Sequence, residues 1–516
     1  MAAVAAPLVV NPRLHLRGDA LSNTAIAHAI LRHGIPPPDP YLAGQPLHYH
    51  WGYNAFAAGA GALLGVEPLT VMVVLGPVSL GVMLVGTVWL ARRLAGGRFE
   101  GRWAALTVLL ATVGLNGWGF AILLGRCAFG GASLADALGQ GVHPFLRSVV
   151  AGYSELLGFL ATKALVSTAF SWNMAFVVLS LVALTAYIQE GRWWQAAGFA
   201  LAAALSAYAN LFVGVVVLAL VGVAAAVWAL GYLRWGERER ARRPLLVLAM
   251  AALAGAATAP YLLVTAGSAT ARESLVRLAL PDAAHLLGFF IGLLPLCIAR
   301  GLVARTELRG VAEAFVRFVT AGLAMAFLFT RVVDEVEIKL GFVVAVLMAV
   351  WVGSRAGELA PHRRRVLWWL AASCVPTTLL GLVAYGRAPE PARPTETELM
   401  VFEWMDRHVA RDAVVVARER STLVPVLAHR DLYVPDCVGF HRAARYDRAV
   451  WDRRSKLMDE LFTTGKVREV LEAVGRELGR PVVLVTRRGD PPVADPRLRL
   501  LYRVDDMSVW LLPGEQ

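Results

Sequence analysis

"HLRGDALSNTAIAHAILRHGIPPPDPYLAGQPLHYHWGYNAF", residues 15–56, stands at the front of a chain that is otherwise strongly apolar. It brings an acid, Asp19, several histidines and a proline run to a point just before the first long apolar stretch. Leu21, Ile26, Ala29 and Ile30 are spaced like one face of a short helix, and Gly34 marks its stop. Each proline of "IPPPDP" fixes its own φ and bars helix at the residue before it, so the chain beyond Gly34 is extended and stiff. The segment reads as a helix on a membrane surface followed by a rigid return. The side of the membrane that it faces decides the fold and the site to which it belongs.

The rest of the chain supplies that membrane. Of its 516 residues, 57% are hydrophobic and 17% charged, with a mean hydropathy of +0.56. A soluble enzyme of this length is rarely so apolar. Apolar runs lie near residues 69–90, 103–124, 172–188, 193–209, 211–231, 244–266, 284–303, 311–330, 337–353 and 366–386. Each approaches the length of about 20 residues that crosses roughly 30 Å of hydrocarbon. The expected fold class is an α-helical polytopic membrane protein of about ten spans. Asn210 falls in a tight turn between two of them. Charge is nearly absent from the spans, Arg317 being the main exception.

The net charge is +12, with an isoelectric point near 9.9. This basicity does not point to nucleic acid, because most of it sits in short loops, where it sets topology. Arg92, Arg93, Arg98 and Arg102 form one cluster, and Arg234, Arg238, Arg240, Arg242 and Arg243 a second. Arg300, Arg305 and Arg309 form a third, and Arg355, Arg363, Arg364 and Arg365 a fourth. Alternating spans put all of these on one side, which the positive-inside rule makes cytoplasmic. The other, extracytoplasmic side then holds residues 1–68, the loops 125–171 and 267–283, Asp334–Glu335 and everything after about 387. Three domains follow: an outer N-terminal loop with a surface helix (1–68), a transmembrane helical domain (69–386) and a small α/β domain outside the membrane (390–516). Cys127, Cys297, Cys374 and Cys437 have neither metal spacing nor a disulfide framework. No cleavable signal peptide is evident.

In the tail, "APEPARPTE" is a linker, and Leu399, Phe402, Met405 and Val409 mark one face of a helix. "DAVVVA", "RPVVLVT", "LRLLYRV" and "MSVWLL" read as strands, and "KLMDELFTTGKVREVLEAVGREL" as one or two amphipathic helices. The tail has no Gly-rich phosphate loop, no G-x-S-x-G and no Cys/His metal spacing.

The candidate site residues each have a plain alternative. Asp19 is a proton acceptor or the N-cap of its helix. His28 and His33 suit a polar interface. His48 and His50 orient a ligand by hydrogen bonds; with Asp19 they also offer metal-ligand atoms, a spacing common by chance, so no metal or other cofactor is indicated. Asp39, between prolines, suits a turn. Arg147 and Lys163, in a loop that also carries His143, Tyr153 and Glu155, are candidates for a lipid phosphate or for unspecific contact with headgroups. Lys339, just inside an apolar span, needs a cavity or a partner such as Glu335, four residues earlier.

The acid in the first outer loop, the surface helix and "GIPPPDPYLAGQPLHYHWGYNAF" leading into a span resemble the GT-C type membrane glycosyltransferases, in particular their prokaryotic branch. "ATKALVSTAFSWNMAFVVLSLVAL", "VEIKLGFVVAVLMAV" and "ELMVFEWMDRHVARDAVVVA" are further echoes, and the likeness in layout covers nearly the whole chain. The resemblance implies transfer of a sugar, usually with inversion, from a polyprenyl-phosphate carrier to a glycan, lipid or protein acceptor at the outer face. It implies that Asp19 is the general base, although many members pair this acid with a second and here it stands between Gly18 and Ala20. It also implies a membrane helix before this loop. "MAAVAAPLVVNPRLHL" is too short to span, so an apolar run is expected upstream of Met1. Competing functions are a non-catalytic envelope assembly or glycan-binding protein and a transporter or lipid flippase. The last needs ionisable residues deep in the spans or interrupted helices in two related halves.

Overall fold

The computed structural model describes residues 19–96, 99–114, 117–129, 131, 133–135, 169–266, 276–281, 283–303, 310–332, 338–387, 394–435, 447–493 and 495–512. Contacts divide the chain into a helical unit (Met1–Val10, Val73–Tyr261, Leu275–Pro389) and a sheet unit (Asn11–Met72, Leu262–Ser274, Glu390–Gln516).

The chain enters through α1 (Asp19–His33) and α2 (Gly52–Leu64) and reaches its first long apolar helix, α3 (Pro68–Ala95). Then come α4 (Gly101–Val113), α5 (Gly119–Phe129), α6 (Ala169–Glu190), α7 (Trp193–Ala209), α8 (Leu211–Arg234) and α9 (Arg238–Ala266). A short strand, β1 (Val276–Leu278), pairs antiparallel with β2 (Thr330–Val332). Between them lie α10 (Ala283–Val303) and α11 (Val311–Phe329), and after them α12 (Ile338–Arg355) and α13 (Pro361–Arg387). Among the described residues seven helices are long and apolar enough to cross a membrane, and this is a multi-pass membrane protein. The apolar run 103–124 is not one helix but two, α4 and α5.

That break is made by packing. A Cβ at Gly114 would stand 2.8 Å from Leu296 Cγ, and one at Gly117 would collide with Cys374. Backbone groups freed in an apolar setting need partners. One hydroxyl on α13 provides them: Thr377 Oγ1 donates to Gly117 O at 2.8 Å and accepts from Phe120 N at 3.0 Å. Trp118 Nε1 donates to Ser373 Oγ at 2.7 Å. At the α7–α8 hairpin Asn210 caps α8, its Oδ1 accepting from Val213 N at 3.2 Å.

α12 is the innermost helix of this unit. Its sequence is apolar on all sides, and 94% of its most apolar window is buried. Gly353 lets α4 approach so closely that any Cβ there would meet Thr107 Oγ1. Beyond Gly353 the helix ends in buried charge. Glu313, 2% exposed, accepts from Arg317 NH2 at 2.7 Å, Trp351 Nε1 at 3.1 Å and Arg355 Nε at 3.2 Å. Arg355, also 2% exposed, reaches Glu358 at 3.2 Å.

The basic clusters gather at this same end. Arg93, at the end of α3, pairs with Glu190, at the end of α6, at 2.8 Å. Arg93, Arg240, Arg243, Trp228 and Glu313 line one cavity of about 630 Å³. Arg300 lies 5.3 Å from the Trp351 ring centroid.

In the sheet unit the tail forms α14 (Glu396–His408), β3 (Val414–Val416), β4 (Asp431–Leu432), α15 (Arg448–Thr464), α16 (Val467–Leu478), β5 (Val482–Arg487), β6 (Arg499–Val504) and β7 (Met507–Leu512). The sheet order is β4-β3-β5-β7-β6, parallel on the β4-β3-β5 side and antiparallel beyond. A capping box starts α14: Thr395 Oγ1 accepts from Glu398 N at 3.2 Å, and Thr395 N donates to the Glu398 carboxylate at 2.8 Å. Gly465, at φ 70°, separates α15 from α16, so the amphipathic tail segment is two helices.

Candidate functional site

α1 forms where its apolar spacing predicts. Its setting is different, because protein encloses Asn23, Thr24 and His28 as fully as the apolar positions. It packs on α2 and on the turn Val424–Ala428. Asn54, fully buried on α2, donates to both Asn23 O (2.9 Å) and Asn23 Oδ1 (3.0 Å). This holds α1 one turn in from its start, and Asp19, its first residue, stands exposed at the helix N-terminus.

The proline-rich return is anchored to the tail's sheet. Asp39, 1% exposed, closes a turn, its Oδ1 accepting from Tyr41 N (2.8 Å) and Leu42 N (3.2 Å). That turn delivers Ala43 N to Leu432 O and Pro40 O to Leu432 N, both at 2.9 Å. The return thus covers the open edge of β4, which would otherwise present unpaired backbone groups. Leu42 and Ala43 join the core with Val414, Tyr433, Leu461, Leu471 and Leu484. His48 follows, half-buried, with Nδ1 enclosed and without a hydrogen bond among the described residues. Burial lowers its pKa, so the ring is neutral at pH 7 and can donate or accept. His50 stacks on Tyr49 at 3.9 Å.

Asp19, His48 and His50 therefore share the sheet unit. Lys339 belongs to the first turn of α12 in the helical unit, its Nζ 5.9 Å from the Phe170 ring centroid. Arg147 and Lys163 lie outside the described residues, as do His143, Tyr153, Glu155 and Glu335.

A second polar centre has no counterpart in the sequence reading. Asp431, fully buried on β4, accepts from Arg32 and Arg480, each at 2.7 Å, and lies 3.3 Å from His33 Nε2. Burial pushes its carboxyl up, but the hydrogen bond from His33 and the charges of Arg32 and Arg480 outweigh this and hold it well below the usual range. Next to it Arg430, 2% exposed, donates to the carbonyls of Asp406 (3.0 Å), Val409 (2.5 Å), Ala410 (2.8 Å) and Ala428 (2.9 Å). It closes the C-terminal end of α14. The one available signal was an Arg–Asp pair beside apolar residues in "HRDLYV", since buried charges are seldom accidental. Of possible metal ligands, His28, Glu67 and His429 come together, with ligand atoms all within 4.8 Å of one another.

No family model matches the sequence, and no curated protein matches it either. Solved structures do. The apo structure of ArnT from Cupriavidus metallidurans is similar over 100% of this chain and 99% of its own, with a TM-score of 0.56 at 12% identity. ArnT from the same organism bound to undecaprenyl phosphate gives a TM-score of 0.57 at 11% identity, over 100% of this chain and 97% of that one. The fold is of the GT-C type. This GT-C fold includes the opening loop and the tail sheet as well as the membrane helices, because the similarity runs the full length of both chains. The oligosaccharyltransferase of Archaeoglobus fulgidus is similar at a TM-score of 0.48 and 12% identity, over 94% of this chain and 69% of that one.

Proposed function

We propose that this protein is a membrane glycosyltransferase that moves a sugar from a polyprenyl-phosphate carrier to an acceptor outside the cytoplasm. The observation that carries the reading is the GT-C fold shared over the full length with ArnT, a protein also solved bound to undecaprenyl phosphate. An exposed carboxylate on a braced helix end, at the position where the family resemblance puts its base, supports it. Fold alone does not fix chemistry, so the proposal rests on the site as well.

Asp19 takes the proton of the acceptor hydroxyl as that oxygen attacks the sugar carbon, and the carrier leaves as its phosphate. Arg147, Lys163 and Lys339 stabilise the phosphate charge, and His48 and His50 orient donor or acceptor oxygens. The ends of the helical unit that gather the arginines face the cytoplasm, and the opening loop and tail face outward. In a background without the four native cysteines, an outside thiol reagent should label Gly386→Cys and spare Gly236→Cys. The opposite pattern would put the loop on the wrong side for this reaction.

Asp19→Asn is the decisive substitution. It keeps the shape and the capping ability, since Asn caps as well as Asp. Loss of a general base lowers the rate by about 10²–10⁴. Purified wild-type and Asp19→Asn protein should be given a panel of polyprenyl-phosphate sugars and membrane extract as the acceptor pool. Transfer at near wild-type rate by the variant would remove Asp19 from the chemistry.

A further inference from the structure

His28, Glu67 and His429 lie far apart in sequence and have no part in the reaction described above. His28 projects from α1, Glu67 immediately precedes α3, and His429 follows the turn Val424–Ala428. His28 is 6% exposed, and its Nε2 is enclosed and makes no hydrogen bond among the described residues, yet it lies 3.4 Å from Glu67 Oε2. An enclosed ring nitrogen that donates nothing to a carboxylate facing it is an arrangement that a cation between them completes.

His429 is held for the same purpose. Its Nδ1 stands 3.0 Å from Asp406 Oδ1, which favours the tautomer with the proton on Nδ1 and leaves Nε2 as a lone-pair donor. This carboxylate–imidazole pairing is the usual support behind a metal-bound histidine. The His429 backbone is at φ 50°, a left-handed conformation that a side-chain-bearing residue adopts only where its surroundings hold it. Arg430, bonded to the Ala428 carbonyl and to those of Val409 and Ala410 just past α14, does the holding. The imidazoles stack at 3.8 Å between centroids. A tetrahedral ion with bonds of about 2.0–2.1 Å holds its ligand atoms roughly 3.4 Å apart, so rotation of the side chains closes the present spread.

We infer that His28, Glu67 and His429 form a divalent-metal site that fastens α1 and the start of α3 to the tail domain. Two imidazoles and one carboxylate are the donor set of zinc-type ions, with the fourth position left to water on the exposed Glu67 side. The positive charge of Arg32, one helical turn from His28, is already neutralised by Asp431.

The test uses the full-length protein in detergent, stripped with EDTA and titrated with Zn²⁺ alone, then with Co²⁺ for its visible absorption. One equivalent of Zn²⁺ should bind and raise the melting temperature, and Co²⁺ should show four-coordinate bands. His28→Ala and His429→Ala should lose both responses while melting, metal-free, close to the stripped wild type. Asp406→Asn should bind about 10–100-fold more weakly, because it removes the support behind His429 and no ligand. Failure of the wild type to take up one equivalent, or uptake unchanged in His28→Ala and His429→Ala, would overturn the site. Should both alanine variants prove unfolded, Glu67→Gln and Asp406→Asn decide: unweakened Zn²⁺ binding in both overturns it equally.

Discussion

The helical and sheet units both bury charge, and they do it differently. In the helical unit the burial is concentrated: Glu313 gathers Arg317, Arg355 and Trp351 at one end of an apolar bundle. In the sheet unit it is distributed. Asp431, Arg430 and Arg454 are each buried, and each bonds to a different neighbouring segment. A bundle made of long apolar helices needs polar contacts only where a helix ends or breaks. A small sheet assembled from an opening loop and a tail, more than 300 residues apart, uses them to fix which segments pair.

The largest expected effect lies in the helical unit. Glu313→Ala leaves Arg355 buried without its main partner, a change that typically costs about 3–5 kcal/mol. Thermal unfolding in detergent should show it. Replacing both partners, Glu313→Leu with Arg355→Met, should recover part of the loss, because the deeply buried Arg355 charge is gone while Arg317 and Trp351 Nε1 still lose their acceptor. If the double variant is as unstable as the single one, the cluster is needed for more than charge balance.

In the sheet unit the corresponding weak point is an apolar side chain. Leu42 is fully buried in the tail's core although it comes from the opening loop. Leu42→Ala should cost about 2–5 kcal/mol. Hydrogen exchange should quicken at residues 40–43 and at β4 together, whereas the helical unit should be unchanged. Exchange that quickens only in the loop would mean that the sheet does not depend on its cover.

These two regions were not equally legible from sequence. The apolar runs announced the helices because a span is written in consecutive residues. The break between α4 and α5 was hidden, since the hydroxyl that satisfies it belongs to Thr377, on α13. Arg317, which stood out as a lone charge in a span, is partnered by Glu313 one turn before it. In the tail, β3, β5, β6 and β7 follow from short apolar runs rich in Val and Leu, but β4 is two residues long and carries no such run. The turn at Asp39 was legible from its prolines, and the docking of that turn on β4 was not. For the site, spacing could suggest Asp19, His48 and His50, all in one stretch. It could not join His28, Glu67 and His429, which meet only in three dimensions.

Acid should affect the sheet unit through Glu477. Burial raises its pKa, but hydrogen bonds from Arg454 and Tyr433 and the charges of Arg454 and Arg453 outweigh this and leave it below the usual glutamate value. The unfolded chain therefore takes up this proton more readily than the folded one. The stability it contributes is full above about pH 4.3 and is lost as pH falls through the lower, folded value. Glu477→Gln should flatten that part of the curve of unfolding free energy against pH. An unchanged slope would assign the acid sensitivity to other carboxylates.

The smallest effects compare one device in both regions. Asn210 caps α8 in the helical unit and Thr395 caps α14 in the sheet unit, each by a side-chain oxygen on a backbone N–H. Removing a cap typically costs about 0.5–2 kcal/mol. The two should fall at opposite ends of that range. Val213 is fully buried, so Asn210→Ala leaves its N–H with neither a side chain nor water, and an unsatisfied buried donor costs about 1–3 kcal/mol. The Thr395–Glu398 contact is only part-buried, so water replaces the lost oxygen and Thr395→Ala should stay near 0.5–1 kcal/mol. Paired unfolding measurements of the two variants test this ordering directly. Equal costs would show that water reaches the α7–α8 hairpin, and the contrast between a bundle that excludes water and a sheet that tolerates it would fail at that point.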